Sequence, residues 1–127
     1  MNEIAVDTDV FSFVFKGDTR AQVFRPMLNA AKPCLCFASV AELYRWKIMR
    51  NWSAIKLADL KREIGSYRIL NYDDDIAWQW AKIMSVQGKP MAANDAWIAA
   101  SALRHGIPLL TNNRKHYQHV AGLTLLP

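Results

Sequence analysis

Short apolar segments alternate along the chain with longer segments in which apolar residues recur every three or four positions. The short segments have the length and composition of buried strands, whereas the longer ones have the periodicity of amphipathic helices. This alternation predicts five strands, at residues 3–6, 35–38, 68–70, 109–111 and 123–126.

Residues that start and end helices stand between these predicted strands. Ser39, Ser53 and Asn94 are typical of helix N-termini, and Gly17 and Gly106 are typical of helix C-termini. The predicted helices cover about residues 9–15, 19–31, 39–50, 53–64, 75–84 and 94–105, with a helical turn near 116–120.

Strands that alternate with helices predict an α/β fold, in which a parallel central sheet of about four to five strands has helices on both faces. The chain has 127 residues, of which 52% are hydrophobic, and no linker or low-complexity segment interrupts the series. This length matches the commonest domain size. We therefore expect one domain over residues 1–127.

The sequence shows no sign of a membrane segment or of a secretion signal. No apolar run approaches the roughly 20 residues of a membrane helix, and the start Met-Asn-Glu-Ile-Ala lacks a basic segment followed by an apolar one. We expect a cytoplasmic protein with no membrane partner. Cys34 and Cys36, the only cysteines, would share one face of a strand and are expected to pack in the core.

Basic residues concentrate in one stretch of the chain. The formal net charge is +5, and residues 45–62 contain six basic residues against one acid. Such a balance favours a polyanionic partner. The best candidates for its contacts are Arg45, Lys47, Arg50 and Lys56.

Four oxygen-bearing side chains stand where a predicted strand ends or a predicted helix begins. Asp7 follows the first strand, Glu42 and Asp95 fall in the first turns of their helices, and Asn113 lies two residues after Thr111. Ligands of open parallel sheets bind beyond the carboxyl ends of the strands, so these side chains can share one crevice. Clustered carboxylates repel each other unless a cation neutralises them. Oxygen ligands suit Mg²⁺ or Mn²⁺. Such an ion can activate a water for the hydrolysis of a phosphodiester bond.

These residues and their neighbours resemble the motifs of the PIN-domain ribonucleases, and especially of the VapC toxins. The matching segments are Val6-Asp7-Thr8-Asp9 with Ser12, Ser39-Val40-Ala41-Glu42, Asp95-Ala96-Trp97-Ile98-Ala99-Ala100, and Thr111-Asn112-Asn113. They occur in the family's order and span nearly the whole chain.

The resemblance implies a three-layer α/β/α sandwich and Mg²⁺- or Mn²⁺-dependent cleavage of RNA. Asp7, Glu42 and Asp95 would hold the metal, and Asn113 would be a weaker ligand or position a water. Thr8, Ser12 and Thr111 would support the acids. The family also implies a homodimer and a cognate VapB-like antitoxin that occupies or distorts the site.

Two positions depart from the family pattern. Relatives commonly carry another acid five residues after the Thr, followed by Phe, whereas this chain has His116-Tyr117. Asp9 stands where Asn is usual. The first departure leaves the set of acids short, which predicts either weaker metal binding or a shell completed by Asn113 and a water.

Structural explanations compete with the metal site at each position. Ser39 and Glu42 fit a capping box, and Asp7 and Asp95 fit the starts of helices. Their joint occurrence in the family's order favours a shared site. The acids at 73–75 are expected only at a solvated helix start.

Two rival functions remain open. One is a PIN fold that binds RNA or a partner without turnover, because an acid is replaced by His116. The other is a nuclease of RNA processing that is not a toxin. Trp46 and Trp52, which lie in the basic stretch, would either stack on RNA bases or line a groove for an antitoxin helix, and Trp80 would pack in the core or in a dimer contact.

Overall fold

A parallel sheet forms the centre of the protein, as the alternating pattern predicts. The computed structural model describes residues 2–127, and within them the sheet has four strands in the order β3-β2-β1-β4, all parallel. β1 therefore lies between β2 and β4, and the carboxyl ends of the three are adjacent. The strands are β1 (Glu3–Val6), β2 (Lys32–Cys36), β3 (Arg68–Leu70) and β4 (Leu109–Leu110).

Helices follow each strand and cover both faces of the sheet. They are α1 (Thr8–Lys16), a 3₁₀ helix (Thr19–Val23), α2 (Arg25–Asn29), α3 (Phe37–Met49), α4 (Ala54–Gly65), α5 (Asp74–Met84), α6 (Ala93–His105) and the single turn α7 (Arg114–Tyr117). Among residues 2–127, no helix is long and apolar enough to cross a membrane.

The two faces of β2 show how the core is divided into layers. Cys34 and Cys36 are buried in the cluster that faces α5 and α6, whereas Leu35 between them is buried in the cluster that faces α1, α3 and α4. This alternation confirms that the cysteines pack in the core. Trp80 also packs against the first cluster, where its ring stacks on Trp97 with centroids 4.8 Å apart.

Several helix ends match the predicted residues. Gly17 and Gly106 adopt left-handed φ values of 66° and 64° at the ends of α1 and α6, a conformation that glycine accepts without a steric cost. Ser53 and Asp73 accept hydrogen bonds from the backbone at the starts of α4 and α5. The acids at 73–75 therefore open a helix, as expected.

The predicted start of a helix at Ser39 is wrong, and the capping box considered as an alternative does not form there. α3 begins two residues earlier, at Phe37, directly from the extended Cys36. Ala38 and Ser39 are buried inside the first turn, so packing against the sheet overrides the preference of serine for a cap position. Glu42 consequently lies in the second turn of α3 rather than the first.

Other boundaries differ for local reasons. The helix predicted over residues 19–31 is divided at Phe24 into the 3₁₀ helix and α2, whose first turn contains a proline. α6 starts at Ala93, so Asn94 lies in the first turn and Ala92 is the cap. The last predicted strand is reduced to one parallel bridge between Leu125 and Leu109.

Candidate active site

Asp7 stands where β1 ends and α1 begins. One carboxylate oxygen, Oδ1, accepts a hydrogen bond of 2.7 Å from the backbone N–H of Thr8. The other, Oδ2, accepts one of 2.7 Å from the hydroxyl of Thr111, which follows β4. The side chain is buried, with Asp7 only 5% exposed. The carboxylate is thus fixed between two adjacent strand ends.

Asp9, which departs from the family pattern, also lies at this site. Its Oδ1 accepts a hydrogen bond of 2.6 Å from the N–H of Val10. Its Oδ2 accepts bonds of 3.2 Å from the backbone N–H of Asn112 and from the side-chain amide of Asn113. The signal in the sequence was the pair of acids two residues apart directly after a buried strand.

Asp95 reaches the site from the first turn of α6. The hydroxyl of Tyr117 donates to its Oδ1 at 3.2 Å. The Nδ1 atom of His116 lies 3.2 Å from its Oδ2. Both partners come from α7, and the sequence patterns did not predict either contact.

The charges of these acids act on one another. Burial first, and then the charge of Asp9, raises the pKa of Asp7 to about 7, with a further contribution from Asp95. Burial also raises the pKa of Asp9. The hydrogen bonds from Thr111 and Thr8 oppose the shift at Asp7 without cancelling it. The carboxyl end of the sheet therefore holds negative charge that the protein compensates only in part.

Glu42 lies at the rim of this group. It is half-buried, and its Oε2 lies 3.5 Å from the side-chain amide of Asn94, the residue before Asp95. The structure therefore brings together Asp7, Asp9 and Asp95, with Asn113 bound to Asp9 and Glu42 beside Asn94.

The three residues predicted to support the acids are buried. Thr8, Ser12 and Thr111 are all inaccessible to solvent or nearly so. The Thr8 hydroxyl donates to the Oγ of Ser39 at 2.8 Å, which ties α1 to α3. Thr8 thus supports Asp7 through its backbone N–H, while Thr111 does so through its hydroxyl.

Comparison with known proteins identifies the family. The model of the PIN domain matches residues 4–123. The chain belongs to the PIN domain family. Its relatives include ribonuclease VapC1 of Haemophilus influenzae strain R2866, which is 40% identical over 93% of this chain and 92% of the relative. Ribonuclease VapC2 of Haemophilus influenzae strain ATCC 51907 is 29% identical over 97% and 96% of the two chains.

A solved structure has the same fold. VapBC2 from Rickettsia felis, bound to a DNA fragment from its promoter, contains a chain that aligns with a TM-score of 0.82. The alignment covers 98% of this PIN domain and 97% of that chain at 16% identity. The α/β sandwich and the resemblance to VapC proteins are both confirmed.

The donor set of this PIN domain suits a hard divalent cation. Among residues 2–127, no three His, Cys, Asp or Glu side chains are arranged to share one metal ion. Mg²⁺ and Mn²⁺ do not require three, because they commonly keep several waters and bind one or two carboxylates. Asp7 and Asp95 offer carboxylate oxygens as ligands in a partly buried acidic cluster whose charge is compensated only in part, so the residues present fit such an ion.

The predicted basic surface lies at the other end of α1 and α3. The Lys16 ammonium lies 5.8 Å from the centre of the Trp46 ring, and the Arg50 guanidinium lies 4.9 Å from it. Lys16 ends the helix that begins beside Asp7, about 13 Å away along its axis. Arg45 and Lys47 precede this end on α3.

Trp52 does not present an open ring for RNA. It is 9% exposed and packs near Phe15, with ring centroids 5.9 Å apart. The Lys56 ammonium lies 4.0 Å from the centre of its ring. Trp52 is therefore a core residue covered by a cation, and Trp46 is half-buried beneath two cations.

Proposed function

We propose that this protein is a metal-dependent endoribonuclease and the toxin of a toxin–antitoxin pair. The observation that carries the proposal is the buried Asp7, whose pKa rises to about 7 beside Asp9 and Asp95 at the carboxyl edge of a VapC-like PIN domain. An acidic cluster of this kind costs stability unless a cation joins it.

Asp7 and Asp95 are the proposed metal-holding residues, and Glu42, at the rim beside Asn94, would add negative charge without sharing that ion. When bound, Mg²⁺ or Mn²⁺ supplies a more acidic water and offsets negative charge at the scissile phosphate. Thr111 and the N–H of Thr8 hold Asp7 in place. Asn113 holds Asp9 through its amide, so its proposed role is to position the acidic cluster rather than to act as a primary ligand.

A cavity beside Asp95 offers a path for the RNA strand. Its volume is about 500 Å³, and it opens between the loop at 88–92 and the region of α7. Asp95 is the acid on its wall. The lysines and histidines that line it are Lys89, Lys115, His116 and His119. Phosphate groups would be attracted here, next to the acids that would hold the metal. The cations at Arg45, Lys47, Arg50 and Lys56 would contact a more distant part of the RNA.

The proposed partner is a VapB-like antitoxin, and the proposed assembly is a homodimer. Support for the antitoxin comes from the solved VapBC2 complex, one chain of which has a similar fold. The exposed apolar side chains Tyr44 and Ile48 on α3 form a surface that a partner would cover.

The direct test is cleavage of total bacterial RNA by the purified protein free of antitoxin. Mg²⁺, Mn²⁺ and EDTA would be compared in parallel. Asp7→Asn would be run beside Asp59→Asn, a control that neutralises an exposed acid paired with Arg62 on α4. We expect discrete cleavage that requires metal, is lost in Asp7→Asn and persists in Asp59→Asn.

Two results would contradict the proposal. Undiminished cleavage by Asp7→Asn would refute the metal assignment. Specific RNA binding without cleavage in either metal would favour a binding module, in which His116 replaces a necessary acid. A small antitoxin reading frame beside the gene would separate a toxin from a nuclease of RNA processing.

A further inference from the structure

The two oxygens of Asp95 have partners of very different character. Tyr117, which donates to Oδ1, is completely buried, with 0% of its surface exposed. His116, which lies next to Oδ2, has 57% of its side chain exposed. Adjacent residues of one helical turn thus approach the same carboxylate from the inside and from the outside.

The hydroxyl of Tyr117 is placed to act on this carboxylate. A buried hydroxyl requires a hydrogen-bond partner, and Asp95 provides it. Phenylalanine would fill the same volume without this bond. The hydroxyl, rather than the ring, is therefore what connects Tyr117 to the acidic cluster.

We infer that Tyr117 is a positioning residue, which fixes Oδ1 of Asp95 from the buried side and so turns Oδ2 toward the metal and the substrate. His116 covers Oδ2 from the solvent side, with 57% of its side chain exposed. The inference rests on the proposed metal site, and it assigns opposite faces of Asp95 to two residues that the metal set does not include.

Mn²⁺ binding to the purified, antitoxin-free protein tests this inference without requiring cleavage. Tyr117→Phe should weaken Mn²⁺ binding by about tenfold, the lower range for loss of a residue that orients a metal ligand. His116→Ala should change it by less than about threefold, as expected for an exposed contact. The matched control is Tyr67→Phe, which removes the hydroxyl of another buried tyrosine, located in the opposite core cluster.

A coupling measurement separates positioning from a general packing effect. If Tyr117 acts through Asp95, Tyr117→Phe should have no further effect on Mn²⁺ affinity in an Asp95→Asn background. Additive losses would overturn the inference, as would wild-type affinity in Tyr117→Phe or an equal loss in His116→Ala. Absence of Mn²⁺ binding by the wild-type protein would overturn it as well.

A second measurement uses the unmodified protein and does not depend on the folding of any variant. Titration with diamagnetic Mg²⁺ should shift the Cζ resonance of Tyr117 in the NMR spectrum and leave that of Tyr67 unchanged. An unmoved Tyr117 resonance at saturating Mg²⁺ would refute the inference. Mg²⁺ binding that shifts Tyr117 without any RNA cleavage would instead refute the proposed ribonuclease and retain the role of Tyr117.

Discussion

Side chains of like charge cluster at both ends of α1, but the acids at one end are more buried than the cations at the other. At its N-terminus, Asp7 and Asp9 are held by short hydrogen bonds from the backbone and from Thr111. At its C-terminus, the cations of Lys16 and Arg50 both lie over the ring of Trp46. The helix dipole favours acids at the first end and cations at the second.

The difference lies in solvation. Burial is the largest cause of the raised pKa of Asp7, so the acids are charged at the expense of stability. The cations keep contact with water, although burial and then Arg50 lower the pKa of Lys16. The acidic end is therefore the proposed binding site for a small cation. The basic end is the proposed contact surface for a large anion.

The largest contrast between the two ends should appear in RNA cleavage. Asp95→Asn should reduce the cleavage rate by at least about 100-fold, because charge stabilisation at the reacting phosphate would be lost. Lys16→Ala should change the rate by less than about threefold when RNA is saturating, since this position contributes to binding. Rates measured with the same RNA and Mg²⁺ check the contrast. Equal losses of cleavage rate in both variants would contradict the proposed difference in role between the two ends.

The acidic end should be a source of instability in the metal-free protein. At pH 7.5 in EDTA, Asp7→Asn should raise the free energy of unfolding by about 1 to 2 kcal/mol, because it removes a buried charge with a strongly raised pKa. Asp18→Asn is the opposite control, because a hydrogen bond from Arg20 lowers the pKa of Asp18 to about 2. Urea unfolding should show that this second variant is not stabilised. A destabilised Asp7→Asn would contradict the assignment of uncompensated charge.

The pH dependence of stability should follow Asp7. Its folded pKa of about 7 exceeds its ordinary value of 3.8, so the folded state binds more protons between these values. Stability of the metal-free protein should therefore fall as pH rises from about 4 to 7, with no further loss from this group above that window. Thermal unfolding at a series of pH values checks this, and the slope should be reduced in Asp7→Asn. Saturating Mg²⁺ should also reduce it.

The basic end should be visible in the salt dependence of RNA binding. Measured in an Asp95→Asn background to prevent cleavage, Arg50→Ala should reduce the slope of log affinity against log salt by about 0.7, the value for one contact with single-stranded RNA. Lys82→Ala, which removes an exposed cation from α5, is the control. The same slope in both variants would show that α3 does not contact the RNA through Arg50.

The smallest effect concerns the cation over Trp52. Lys56→Gln should reduce the free energy of unfolding by about 0.5 to 1 kcal/mol through loss of the cation–π contact. Lys61→Gln, an exposed change on the same helix, should have a smaller effect. Thermal unfolding of the two variants provides the comparison.

Much of this architecture was predictable because its causes are local. The strands at 3–6 and 68–70 coincide with apolar segments, and Ser53, Gly17 and Gly106 are found at the helix ends that their backbone preferences predict. The start of α3 was missed because burial of Ser39 depends on the sheet, which lies outside any local pattern.

In the acidic cluster, too, some features were predictable from the sequence and others were not. The positions of Asp7 and Asp95, after a strand and at a helix start, predicted that they would share one edge of a parallel sheet if the strand order brought those ends together. The patterns did not predict that Asn113 would hold Asp9 or that Glu42 would bind at the rim through Asn94. Those contacts depend on side-chain directions in segments far apart in the chain.

The sequence by itself determined the alternation of strands and helices, the apolar core and the family to which the chain belongs, because periodicity and motif order are properties of neighbouring residues. Only the tertiary structure decided that β1 lies between β2 and β4, and that α7 brings Tyr117 and His116 to Asp95. The physical reason is that strand order and side-chain contacts depend on how the whole chain packs, which no local pattern specifies.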